Sequence, residues 1–309
     1  MSSHQLETPV VFIIFKRPET TQKVFEAIRR VKPKKLFVIA DGPRHDRPQE
    51  PEQCAETRTI IDRVDWECEV FKDYSEVNLG CAKRVSSGLD WVFNQVEEAI
   101  ILEDDCVPDV SFFRFCEILL AQYREDERVF ALTGHNHLSE WKSEIQSYHF
   151  SHYFDCWGWA TWRRVWQKYD LKMELWTQPD VKERVRAVIA DDRQFLNRAK
   201  PLDATYAGEI NSWAYQFFFL CLLHAGFTVT PSVNLIANVG FDANSTNTTD
   251  ADDDRAKVKV GTLRFPLQAP KKEEADREYD YQRYKKVWET TFKSRVFRKI
   301  KKIASFAQI

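Results

Sequence analysis

The stretch that most limits the folds open to this chain is the run Val10-Val11-Phe12-Ile13-Ile14-Phe15, together with the residues up to Pro43. An unbroken apolar run rich in β-branched residues suits a strand covered on both faces; a half-exposed strand would alternate apolar and polar positions. Pro18-Glu19-Thr20 then opens a segment whose apolar residues Val24, Phe25, Ile28 and Val31 fall at helical spacing. Leu36-Phe37-Val38-Ile39-Ala40 is a second strand of the same buried kind, stopped by Asp41-Gly42-Pro43. Strand, helix and strand in succession predict a parallel sheet with a right-handed crossover.

The alternation continues. Residues 54–64 read as a helix, 68–71 as a short strand, and 81–96 as a helix with Val85, Leu89, Val92 and Phe93 on one face. Ala99-Ile100-Ile101-Leu102 is another buried strand, followed by a helix near 111–123 and a strand at 129–132. This is the rhythm of an α/β fold. From about Gly134 the rhythm is lost in a block dense in His, Trp and Tyr over 135–170. A helix is expected at 212–223 and extended chain at 228–230 and 233–239. Asn, Thr and Asp clusters over 242–256 read as an exposed loop. The end of the chain, 279–306, has helical apolar spacing and a basic block of Lys293, Arg295, Arg298, Lys299, Lys301 and Lys302. We therefore expect three parts: 8–134, 135–245, and a loop with a helical tail over 246–309.

Composition removes several function classes. A net charge of -2 gives no global basic field for nucleic acid. The seven cysteines contain no CxxC pair, which speaks against a zinc knuckle or a redox motif and fits small thiols in a reducing cytoplasm. Residues 1–8 lack the apolar core of a signal peptide, and no apolar stretch approaches the ~20 residues of a membrane span. Neither GxGxxG nor GxxxxGK[ST] occurs.

Chemistry gathers where strands end. Glu103-Asp104-Asp105 follows a buried strand directly. Clustered carboxylates repel and resist burial unless a cation joins them, and Mg²⁺ or Mn²⁺ with a substrate diphosphate is such a partner. The carboxyl ends of strands are also where open α/β sheets bind ligands. Lys16-Arg17-Pro18 and Asp41-Gly42-Pro43-Arg44 lie at the same edge, where Arg17 could meet phosphate and Asp41 could accept from a base N–H. Asn78-Leu79-Gly80-Cys81-Ala82-Lys83-Arg84 joins a turn glycine, a helix N-terminus and two cations, an arrangement that favours an anion. Each has an ordinary alternative, as surface charge, turn former or cap. His135 and His137 alternate in an extended segment, with acceptor contact, plain surface or a metal as their readings.

On these residues the chain resembles glycosyltransferases of the GT-A fold, and within them the N-acetylglucosaminyltransferase I-like group and its bacterial relatives. The resemblance runs through Val11 to Ile14, Lys16-Arg17-Pro18, Ala40-Asp41-Gly42, Asn78-Leu79-Gly80 and Ile101 to Asp105. It continues in Cys156-Trp157-Gly158-Trp159-Ala160-Thr161-Trp162, Trp213-Ala214-Tyr215-Gln216 and Asn234 to Phe241, so it spans roughly 8–245. It implies an inverting, metal-dependent transfer from a nucleotide-sugar, of the UDP kind, to a glycan or other hydroxyl acceptor. Asp105 would touch Mn²⁺ or Mg²⁺, and Glu103 and Asp104 would orient the donor ribose and sugar. Asp41 would bind uracil, with Arg17 near the base or diphosphate and Gly80, Lys83 and Arg84 beside the donor. The block Trp157-Gly158-Trp159, with His135 and Trp213, would wall the acceptor pocket.

One part of the pattern is missing. Relatives carry an Asp in or beside the segment matching Asn211-Ser212-Trp213-Ala214, and none of these four residues ionises. Glu209 is the first candidate for the acceptor's base, followed by Asp203 and Asp155. That gap also motivates a rival: a non-catalytic nucleotide-sugar-binding or scaffold protein that kept the fold. A nucleotidyltransferase is the alternative enzyme, but the loop Phe15-Lys16-Arg17-Pro18 lacks the Gly-rich signature expected of one. The basic tail either packs its apolar face on the catalytic lobe or lies at the inner face of a membrane as a peripheral contact.

Overall fold

The computed structural model describes residues 5–241 and 258–287. In chain order its elements are β1 (Val10–Ile14), α1 (Pro18–Val31), β2 (Lys35–Ala40), α2 (Glu50–Thr59), β3 (Glu69–Tyr74), α3 (Cys81–Phe93), β4 (Glu98–Glu103), β5 (Cys106–Pro108) and α4 (Val110–Gln122). There follow β6 (Val129–Thr133), β7 (Tyr148–Ser151), β8 (Trp159–Trp162), α5 (Arg163–Trp166), α6 (Pro179–Ile189), α7 (Asp192–Tyr206), α8 (Ala214–Leu223), β9 (Phe227–Pro231) and β10 (Ile236–Asn238). A further helix covers 277–287.

Eight strands form one mixed, mostly parallel sheet in the order β3-β2-β1-β4-β8-β6-β9-β7. β1 is buried at every residue and pairs in parallel with β2 on one side and β4 on the other, Ile14 facing Ala40 and Ile13 facing Glu103. Its apolar run is thus explained by helices on both faces of the sheet. The α/β architecture expected from the sequence, a mostly parallel sheet flanked by helices, is the one observed. α1 opens on Pro18 and stops where Lys32 turns left-handed at φ 48°, which ends the ladder and returns the chain to β2.

Two features place the site. First, strand order runs from β1 to β2 and β3 on one side and to β4 on the other, so the edge beyond the carboxyl ends of β1 and β4 is a topological switch point, where sheets of this kind form a ligand crevice. Second, β8 runs antiparallel between β4 and β6, with Ile101 opposite Trp159 and Glu98 opposite Trp162. Its entering residues 155–158 therefore arrive at the same edge as the end of β4. A separate ribbon pairs β5 with β10, Cys106 opposite Asn238, which carries the chain after β10 back over Asp105.

The loss of rhythm expected over 135–170 is corrected by β7 and β8, which the aromatic density hides. Trp159-Ala160-Thr161-Trp162 is buried at all four positions and has no polar alternation to mark an outer face. Thr161 answers its own burial by donating to the Phe130 carbonyl at 2.7 Å. The sheet is continuous across residue 134, because β7, β8 and β9 join β4 and β6 in it. Below the site, Trp159 stacks on Trp213 with centroids 5.0 Å apart, and Phe154 and Phe217 close the cluster at 5.2 and 4.9 Å from Trp159. The loop expected at 242–256 and the basic block from Lys293 onward lie outside the described residues. Over 277–287 the tail helix packs on the sheet side of the molecule, burying Tyr279, Asp280, Arg283 and Tyr284. No helix among the described residues is long and apolar enough to cross a membrane.

Candidate functional site

β4 delivers Glu103, Asp104 and Asp105 to the switch-point crevice, and the loop after β1 brings Arg17 to meet them. The Arg17 guanidinium bonds to Asp104 through Nη2 and reaches Asp105 Oδ2 at 2.9 Å with the same nitrogen. Burial alone would lower its pKa, but Asp104 and Asp105 together raise it above the ordinary arginine range. Asp104 is buried, its second oxygen has no partner, and burial followed by its neighbour Asp105 pushes it up to about 6 despite Arg17. Glu103 accepts from the Trp213 ring N–H at 3.1 Å; burial first, then Asp105, raises it to about 8.

One guanidinium therefore faces three carboxylates. Two of the three are driven toward protonation, and one buried oxygen is left unsatisfied, which costs about 1–3 kcal/mol for such a group. An all-oxygen donor set with surplus negative charge fits a hard dication. A second observation agrees. The chain after β10 passes so close that a Cβ built on Gly240 would lie 2.1 Å from Asp105 Oδ2 and 2.8 Å from Arg17. Only glycine leaves that space open. Gly240→Ala is expected to displace Asp105 and Arg17 and to weaken Mn²⁺ binding by about tenfold or more, read by calorimetry, while the circular dichroism spectrum stays native. Unchanged Mn²⁺ affinity in a folded variant would remove Gly240 from the site.

The other residues expected to meet the donor are positioned differently from one another. Asp41 accepts four bonds: Gly42 and Leu79 N–H at 2.9 Å on one oxygen, Gly80 N–H at 3.0 Å and the Asn78 amide at 3.1 Å on the other. It ties the loop after β2 to the turn before α3. Gly80 holds φ at +79°, and the Asn211 side chain accepts from Ala82 N–H at 2.9 Å, capping α3 across the crevice. Lys83 is exposed on that first turn. Arg84 is buried and turned inward, donating to the Ala40 carbonyl at 3.2 Å and to the Asp73 carbonyl at 2.8 Å. Sequence reading had no role for Glu50, yet it joins Lys16, at 2.7 Å, to Arg44. Burial works to raise Glu50, but Arg44 and Lys16 hold it down at about 2. An acidic residue before a helical Pro carries no signal that would single it out.

Of the residues expected to wall an acceptor pocket, Trp159 and Trp213 are buried, and Gly158 sits at φ +61° where a Cβ would meet Ile236 at 2.4 Å. Trp157 is half-buried, its ring 4.6 Å from His135 and 5.6 Å from Phe241. Of the base candidates, Glu209 is exposed in the turn after α7, two residues before Asn211. Asp203 accepts from the Trp176 ring N–H at 2.8 Å and pairs with Lys182 at 3.2 Å. Asp155 is bonded to His137, lies 3.4 Å from His135 and meets Arg283 at 3.2 Å. Burial opposes its charge, yet the two imidazoles hold Asp155 well below the usual carboxylate range, while burial drives His137 down to about 3. The tail residue Arg283 was missed because its partners are more than a hundred residues away.

No family model matches the chain, and no curated protein matches it. Among solved structures it is similar to a cytidylyltransferase from Leptospira borgpetersenii serovar Hardjo-bovis (strain JB197), at 9% identity and a TM-score of 0.31. That match covers 53% of this chain and 64% of the other, so the chain spans a little under two thirds of that enzyme's length. It is also similar to UDP-glucose pyrophosphorylase complexed with UDP-glucose, at 7% identity and a TM-score of 0.37, over 75% of this chain and 93% of the other. Both likenesses are remote.

Proposed function

We propose that the chain is a metal-dependent glycosyltransferase that moves a sugar from a nucleotide-sugar, of the UDP kind, to a hydroxyl of a glycan or similar acceptor, with inversion. The observation that carries the proposal is the partly unsatisfied acidic run at the β1/β4 switch point, with Asp104 short of a partner and Gly240 leaving Asp105 room. Asp105 would be the principal ligand of Mn²⁺ or Mg²⁺, with Asp104 beside it. The bound cation supplies neutralisation of the charge on the donor diphosphate. Glu103, fixed by Trp213, would orient the donor, and Arg17 would contribute a second positive charge toward the phosphates. Residues 8–134 would then hold the donor and 135–245 the acceptor.

The acceptor's proton needs a base within hydrogen-bond reach. Asp203 and Asp155 are each held by protein partners, whereas the Glu209 carboxylate has no hydrogen bond among the described residues. Glu209 therefore keeps first place for that role. A second reading has one observation of its own: in the segment nearest the donor side, Asn211 is spent on Ala82 and Trp213 on Glu103, and neither flanking residue of that segment is a carboxylate. Such a protein would bind a donor without transfer.

A panel of nucleotide-sugars with Mn²⁺, with and without glycans, separates the readings by nucleoside diphosphate release and by calorimetric binding. Metal-dependent release supports transfer, and metal-dependent binding without release supports the second reading. If no nucleotide-sugar binds with Mn²⁺ present, the donor site is wrongly assigned.

A further inference from the structure

We infer that His135, His137 and Asp155 form a second cation site, of the zinc class, separate from the acidic run. The two histidines alternate along the extended segment after β6, so their rings fall on one side, with centroids 4.3 Å apart. Asp155, at the entry to β8, faces both. One ligand atom from each of the three residues lies within 4.8 Å of the other two. His135 Nδ1 stands 3.4 Å from Asp155 Oδ2, close to the roughly 3.3 Å that separates two ligands of a tetrahedral centre with ~2.0 Å bonds.

The observation that points to a ligand is His135 itself. Its side chain is 1% exposed, Nε2 has no hydrogen-bond partner, and Nδ1 has only Asp155 Oδ2 at 3.4 Å, outside hydrogen-bond geometry. A buried imidazole in that state forfeits about 1–3 kcal/mol, which a coordinate bond through one nitrogen would offset. Asp155 is already supported as a ligating carboxylate should be: Trp157 N–H donates to one oxygen at 3.2 Å and Arg283 to the other at the same distance. Arg283 also sets the main obstacle to a cation here. It is tethered to the Phe154 carbonyl at 3.1 Å, and the Oδ2 lone pair that meets His137 is the one an ion would take when His137 turns its Nε2 to that ion.

Donor chemistry sorts the ions. Two imidazoles and one carboxylate select Zn²⁺ and Co²⁺ over Mg²⁺, whereas the acidic run, with oxygen alone, selects the harder ions. Trp157 stands between the two sites, touching His135 on one side and Phe241, next to Gly240, on the other.

The test uses the full chain carrying Asp105→Asn, stripped with chelator, so that the acidic run does not contribute. Titration with Co²⁺ should develop visible ligand-field bands that saturate at one ion per chain, and added Zn²⁺ should erase them and raise the melting temperature. His137→Ala and His135→Gln should each weaken Co²⁺ binding at least tenfold and abolish the Zn²⁺-dependent rise in melting. His137 lies nearer the surface than His135, so its variant serves if the other fails to fold. Absence of the bands in the parent, or bands unaltered in His137→Ala, would overturn the assignment.

Discussion

Asp105→Asn is expected to lower nucleoside diphosphate release by about a hundredfold or more, the range lost when one charge-stabilising contact leaves an active site. The substitution keeps the shape of the side chain and its place against Gly240, so packing is retained. What changes is charge. The anionic oxygen that Arg17 reaches at 2.9 Å becomes half of a neutral amide, and a hard dication loses a carboxylate ligand. Mn²⁺ affinity should fall in parallel, with the melting temperature of the metal-free protein unchanged or higher. Affinity in the unmutated chain should also climb with pH. Asp104 and Glu103 hold their protons up to about 6 and about 8, and a cation must displace them, so binding tightens as pH rises through those values. Full activity of Asp105→Asn in the presence of metal would end the metal reading. A pH-independent Mn²⁺ affinity between about 5 and 8 would remove the carboxylate coupling on which it rests.

How much of this could be read in the sequence depends on whether the signal is local. β1, β2 and β4 are continuous buried runs, and their ends, which hold Arg17, Asp41 and the acidic run, follow from strand position alone. A parallel sheet aligns those ends whatever the side chains do. β8 was illegible for the opposite reason: Trp159 to Trp162 has no polar alternation, and its antiparallel insertion between β4 and β6 depends on residues as distant in sequence as Glu98. α6 does carry Val181, Val185 and Ile189 at helical spacing, whereas α7 buries Gln194 and Thr205 beside Leu202 and offers little apolar periodicity to find. Within the site, spacing could say that Asp41 stands at a strand end; it could not say that four donors converge on it. Arg84, read as a cation facing a ligand's anion, is turned inward to the Ala40 and Asp73 carbonyls and to the Asp73 carboxylate. Gly240 was visible as part of a motif, but the reason for a glycine there exists only once β10 lies on β5.

Glu103→Gln is expected to stabilise the metal-free protein and to weaken its hold on the cation, the sign pattern of a site whose charge is kept for a ligand rather than for the fold. Glu103 titrates near 8 in the folded chain against an ordinary value of 4.5. Below about pH 4.5 the side chain is protonated in both folded and unfolded states, and the group costs nothing. As pH rises toward 8 the unfolded chain releases the proton while the folded chain retains it, so stability is lost across that window. At about pH 7 the difference amounts to about 3 kcal/mol at roughly 1.36 kcal/mol per pKa unit, and partial contact with solvent in the cleft reduces it to roughly 2 kcal/mol. Glutamine keeps an oxygen for the Trp213 N–H at 3.1 Å and carries no proton to lose. The variant should therefore melt several degrees higher at about pH 7 without metal, with the gain shrinking toward about pH 4.5. Saturating Mn²⁺ should narrow or invert the difference, because the cation binds, and so stabilises, the chain with all three carboxylates more strongly than the variant. A variant less stable than its parent at about pH 7, or one whose gain does not depend on pH, would mean that Glu103 is ionised at no cost in the fold.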